Sequence, residues 1–95
     1  MMGNAVKVGD IGSAHDGYFP TPVVSGSGTV IGDGSPLARV GDPLLPHIKP
    51  KNPPHGRSIK AGSSSVFIDG KAAVRDGDAI DCGGTVSGGG TINIG

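Results

Sequence analysis

Few side chains in this sequence can do chemistry beyond simple ionisation: three histidines, His15, His47 and His55, and one cysteine, Cys82. Their spacing follows a second pattern. A Gly-Asp step occurs at Gly9-Asp10, Gly41-Asp42 and Gly77-Asp78. His15 and His47 each lie five residues after the Asp of such a step, and Cys82 lies four after the third. If the three corners are related by a pseudo-three-fold axis, these side chains converge toward it, and His55 adds a fourth from a Pro-rich stretch. Three imidazoles and one thiolate make a closed tetrahedron of the structural zinc type. The soft thiolate favours zinc over magnesium or calcium. The expectation is one structural Zn²⁺ held by His15, His47, His55 and Cys82. Two rival chemistries use the same residues. Cys82 could be a nucleophile paired with a histidine, which needs a cleft. Three histidines could hold a zinc-bound water for hydrolysis, which needs a general base; the sequence has no Glu, and Asp16 is the obvious candidate.

The elements that must position these residues are written as a repeat. Val30–Leu44 aligns with Val66–Ile80 at an offset of 36 residues, with identities at Val30/Val66, Asp33/Asp69, Gly34/Gly70, Arg39/Arg75, Gly41/Gly77 and Asp42/Asp78. With the third Gly-Asp step at Gly9 and a third Val/Ile cluster at Thr91–Ile94, the chain reads as a permuted three-fold pseudo-repeat. The three apolar clusters (Thr29–Ile31, Val66–Ile68, Thr91–Ile94) suit short strands. Asp33-Gly34 and Asp69-Gly70 are tight hairpin turns, because Gly supplies the positive φ that such turns need. Gly or Pro interrupts nearly every possible helix, and Lys71–Arg75 is the best remnant, at most one turn. Pro43, Pro46, Pro50, Pro53 and Pro54 predict an extended, stiff loop. The predicted fold is all-β: a small cone of short strands, hairpins and long loops, with little or no helix, forming one domain over residues 1–95.

Composition explains why such a chain needs a staple. It has 95 residues, 35% of them apolar and only 3% aromatic. A chain this small buries little surface, and one cysteine forms no internal disulfide, which leaves a metal or a partner. Net charge is zero, which argues against nucleic acid as a partner. Lys49, Lys51, Arg57 and Lys60 fall in an acid-free stretch from Pro43 to Ile68 and read as a solvated basic loop. No secretory signal is visible at the N-terminus, and no apolar run approaches the roughly 20 residues of a membrane span.

The same residues resemble the PAAR-repeat family, named for a Pro-Ala-Ala-Arg motif. Pro36-Leu37-Ala38-Arg39 and Ala72-Ala73-Val74-Arg75 are imperfect copies, each followed by a Gly-Asp step. The resemblance spans Val8 to Gly95. It implies a cone whose tip holds zinc through three His and one Cys, which map onto His15, His47, His55 and Cys82. It also implies a binding protein and not an enzyme: a tip that caps and sharpens the trimeric VgrG-type spike of a type VI secretion system. Such a tip aids target membrane puncture, with transient membrane contact and delivery of separate effectors. The chain would be a monomer by itself, assembled in the bacterial cytoplasm on the secretion apparatus and then driven into the target cell. The tip of a contractile phage tail spike is the same device in another machine. A monomer meeting a trimer end-on needs three similar surfaces. Val30, Ile31, Val66, Phe67, Ile92 and Ile94, on the three apolar strands, are expected on or beside the spike-binding surface, where strand edges can pair.

Overall fold

The computed structural model describes residues 3–95. Ten short strands follow one another: β1 (Gly3–Asn4), β2 (Ile11–Gly12), β3 (Thr21–Pro22), β4 (Ile31–Gly32), β5 (Ser35–Pro36), β6 (Pro43–Lys49), β7 (Asn52–Ser58), β8 (Phe67–Ile68), β9 (Lys71–Ala72) and β10 (Asn93–Ile94). There is no helix among the described residues. β4–β5 and β8–β9 are the expected hairpins. Their turn residues Asp33 and Gly34 (φ 50° and 82°) and Asp69 and Gly70 (53° and 79°) all take positive φ, as a type I′ turn demands. β1 pairs with β10, matching Gly3 with Ile94 and Asn4 with Asn93. The third hairpin of the repeat is thus assembled from segments at opposite ends of the sequence.

Each hairpin feeds one segment into a central ring. The amide of Val6 donates to Val74 O (2.9 Å), that of Val74 to Ala38 O (3.3 Å), and that of Ala38 to Val6 O (2.8 Å), which closes a three-membered circle. Antiparallel bridges repeat around it: Ala5 with Arg75, Lys7 with Leu37, Arg39 with Ala73. After the ring comes the Gly-Asp corner, three times in one geometry. Gly9, Gly41 and Gly77 have φ of 96°, 94° and 87°. The amides of Asp10, Asp42 and Asp78 donate to the carbonyls of Lys7, Arg39 and Arg75, each at 3.0 Å. In return each Asp carboxylate accepts from the backbone amide of that basic residue and pairs with its side chain. A Gly at the third position of a four-residue turn is the type II pattern. The structure thereby adds a third motif copy, Asn4-Ala5-Val6-Lys7, which the two-copy sequence reading left out.

Alternate residues of each ring segment enter different core layers, as strand geometry requires. Val6, Ala38 and Val74 join Val23, Leu44, Ile59, Ile80 and Val86 in one cluster. Their neighbours Ala5, Leu37 and Ala73 join Ile68 and Ile94 in the other, with half-buried Ile92 against it. The molecule measures 40 × 25 × 22 Å. Two glycines keep the axis packable. A Cβ at Gly12 would lie 2.3 Å from Leu44 Cδ2 and 2.7 Å from Ile80 Cδ1, and one at Gly32 would lie 2.3 Å from Ile92 Cδ1. Where two copies of the repeat send a large side chain inward, the third has none.

Lys71–Arg75, the best helical remnant, forms no turn, and Lys71–Ala72 is strand β9, in keeping with a fold of little or no helix. Two expectations need correction. The Pro-rich stretch is no loop but the longest ribbon in the fold, β6 against β7, turning at Pro50-Lys51. Prolines fit because each strand of a two-stranded ribbon has an edge without ladder bonds, and the register shifts on both sides of His47. Arg57 is no solvated base: it is 3% exposed. Its guanidinium donates to the carbonyls of Gly12 (3.3 Å), Ser13 (2.8 Å) and Gly83 (3.4 Å) and to Thr21 Oγ1 (3.2 Å). Lys51 and Lys60 are exposed as expected.

Candidate metal centre

Each of the four donors arrives by its own local device. His47 on β6 and His55 on β7 are direct cross-strand partners, a position that brings side chains on one face within contact. His15 opens a tight turn, His15-Asp16-Gly17-Tyr18, closed by the Tyr18 amide donating to His15 O at 2.8 Å. Asp16 and Gly17 have φ of 48° and 81°, a third type I′ turn whose Asp-Gly signal was legible in the sequence but unused. Cys82 follows the third Gly-Asp corner in a turn stabilised by Gly83 and Gly84, both at positive φ, and it packs against the larger core cluster.

The donor atoms of His15, His47, His55 and Cys82 all lie within 4.8 Å of one another. His47 Nε2 is 2.9 Å from His55 Nε2 and 3.6 Å from Cys82 Sγ. A tetrahedral zinc with the usual bond lengths would set such atoms about 3.3–3.6 Å apart. The protonation pattern fits a cation as well. His47 is 1% exposed, and its Nδ1 lies 3.0 Å from Phe19 O. A carbonyl only accepts, so Nδ1 carries the proton and Nε2 presents a lone pair, the orientation typical of a ligating histidine. Burial, then the nearby Arg57 guanidinium, push the pKa of His47 below its ordinary value, which favours the neutral, ligating form. His15 Nε2 is buried without a hydrogen-bond partner, a lone pair that a metal would satisfy. The residues present therefore fit one zinc. Asp16, the candidate base, contacts His15 Nδ1 at 3.4 Å with its own side chain 86% exposed, so it backs one donor from the solvent side.

Two residues around this cluster were not read as site residues in the sequence. Arg57 ties together the carbonyls beneath it, and only its acid-free context gave a hint. Tyr18 stacks on the imidazoles, and its position opposite His15 in the turn was the available signal.

The six residues proposed for a docking surface separate by depth. Ile31 and Phe67 are 59% and 61% exposed, Val30 and Val66 less so. Ile92 is half-buried and Ile94 lies in the core. Ile94 thus sits beneath the surface, because the inward position of β10 matches that of Ile68 on β8, while Asn93 takes the outward position of Ile31 and Phe67.

No curated protein matches the chain significantly. The PAAR motif is matched from residue 6 to residue 88, nearly the whole three-fold ring, the corners and all four donors. A ring of three Lys/Arg-x-Gly-Asp corners, with three His and one Cys gathered beyond it, is thus carried by a chain that belongs to the PAAR-motif family.

Proposed function

We propose that this protein is the zinc-stapled tip that caps a trimeric VgrG-type spike of a type VI secretion system. Placement is the observation that carries this reading. The hairpins of a closed three-fold ring offer Ile31 and Phe67 to solvent and pack Ile68 and Ile94 into one core layer, while Cys82 of the donor cluster packs against the other layer. Three near-equivalent hairpins suit a partner with matched rotational symmetry. Apolar surface leaving water at about 25 cal/mol per Å² would hold the cap in place. Bound zinc would contribute folding free energy to a chain with a small core. In this reading His15, His47, His55 and Cys82 are structural ligands, the protein performs no catalytic step, and effectors are separate passengers. Assembly would take place in the cytoplasm, and the spike would carry the tip out. The test is co-purification with the trimeric spike. Ile31→Asp and Phe67→Asp are expected to abolish it while one zinc per chain is retained. If both variants bind the spike as the unaltered chain does, the docking surface is elsewhere.

A further inference from the structure

Tyr18 has no part in the ligand set, yet its ring touches all three imidazoles. Its centroid lies 4.2 Å from that of His55, edge-on, and 4.8 Å from that of His47, stacked at 26°. It lies 5.8 Å from that of His15, at 30°. The ring is held on several sides. The Asp16-Gly17 turn sets Tyr18 directly across from His15. The next residue, Phe19, accepts the Nδ1 proton of His47 through its carbonyl. The Lys49 ammonium sits over the ring, 5.3 Å from its centroid. Tyr18 is partly exposed, whereas the His47 imidazole on which it stacks is buried.

We propose that Tyr18 is a shield that slows loss of the metal. The inference rests on the zinc reading above. An imidazole leaves a metal by swinging away about its side-chain bonds, and a chelator enters through the position it vacates. A ring packed against three imidazoles opposes that swing for each of them and covers the approach. Aromatic contacts of this kind act through the faces and edges of the rings, so the phenol hydroxyl is not required.

The experiment loads the purified chain with one equivalent of zinc, adds excess EDTA, and follows zinc release with time. Tyr18→Ala is expected to take up one zinc per chain and release it roughly tenfold faster or more. Tyr18→Phe restores the original rate. Leu45→Ala, trimming an exposed side chain on the same ribbon, leaves the rate unchanged. Should Tyr18→Ala fail to fold when loaded, Tyr18→Leu, which keeps apolar bulk without a ring face, carries the same expectation of fast release. Equal release rates in the unaltered chain and the ring-less variant overturn the shield and leave the metal reading standing. So does fast release from Tyr18→Phe. An unaltered chain that takes up no zinc overturns the metal reading itself.

Discussion

The two ends of the molecule solve the problem of a small core in opposite ways. At the base one backbone pattern is used three times, and side chains vary between copies: Gly32, Ile68 and Ile94 occupy equivalent inward places, and Ile31, Phe67 and Asn93 equivalent outward ones. At the metal end four particular side chains, drawn from residues 15 to 82, meet once. The base therefore spreads its stability over repeated main-chain bonds, each modest. In the proposed reading the metal end concentrates it in one cluster that is complete or lost.

The largest effect is expected where the contrast is sharpest. Cys82→Ser, His47→Ala or chelation of the unaltered chain should unfold the metal end, lowering the melting temperature by roughly 15 °C or more. Asp16→Asn, altering an exposed carboxylate, should leave it within a few degrees. Equal melting of all these samples would show that the cluster contributes nothing to stability. Next comes Arg57→Ala. It removes the donor to the buried Gly12 carbonyl and Thr21 hydroxyl and to the part-buried carbonyls of Ser13 and Gly83, at a cost of about 2–4 kcal/mol in chemical denaturation. Arg57→Lys should not recover it, because an ammonium lacks the planar fork that reaches several acceptors at once.

Two glycines sharpen the comparison further. Gly12→Ala puts a methyl where Leu44 and Ile80 already meet and should cost about 1–3 kcal/mol as overpacking. Gly77→Ala meets nothing within 4 Å but is held at φ 87°. It should cost about 1–2 kcal/mol as backbone strain in one corner of three. The ordering of the two variants in a melting experiment separates packing at the axis from turn geometry at the rim.

The smallest effect is one of pH at the base. Thr91 hydrogen bonds hold the Asp33 carboxyl below its ordinary value of 3.8. Ser27, then Thr29 and Arg39, do the same for Asp69. Both carboxyls are depressed in the folded chain. Their stabilisation is therefore complete above roughly pH 4 and is lost as pH falls through the lower folded values. Hydrogen exchange at the Thr91 amide, which donates to Asp33 Oδ2 at 2.8 Å, should accelerate relative to ring amides as pH falls below about 4 and through the lowered folded value. Asp33→Asn should remove that dependence.

Much of the fold was legible because tight turns are encoded by neighbours. Asp33-Gly34 and Asp69-Gly70 announce positive φ at two consecutive residues, and Gly9, Gly41 and Gly77 announce the corners. The donor set was legible because histidine and cysteine are scarce here and fall in phase with those corners. The tertiary structure alone decided the rest. The β1–β10 hairpin closes between residues about 90 apart in sequence, and no local preference signals so distant a pairing. The prolines of β6 and β7 read as a loop by their missing amides, yet cross-strand pairing made them a ribbon that sets His55 opposite His47. Arg57 reads as a surface base by its charge, and only four converging acceptors make its burial tolerable. Tyr18 carries no motif; its place over the imidazoles exists only once three segments have come together. Residue types and turns are local properties and survive in a string of letters. Closure, burial and stacking are relations between distant segments, and only the folded chain fixes them.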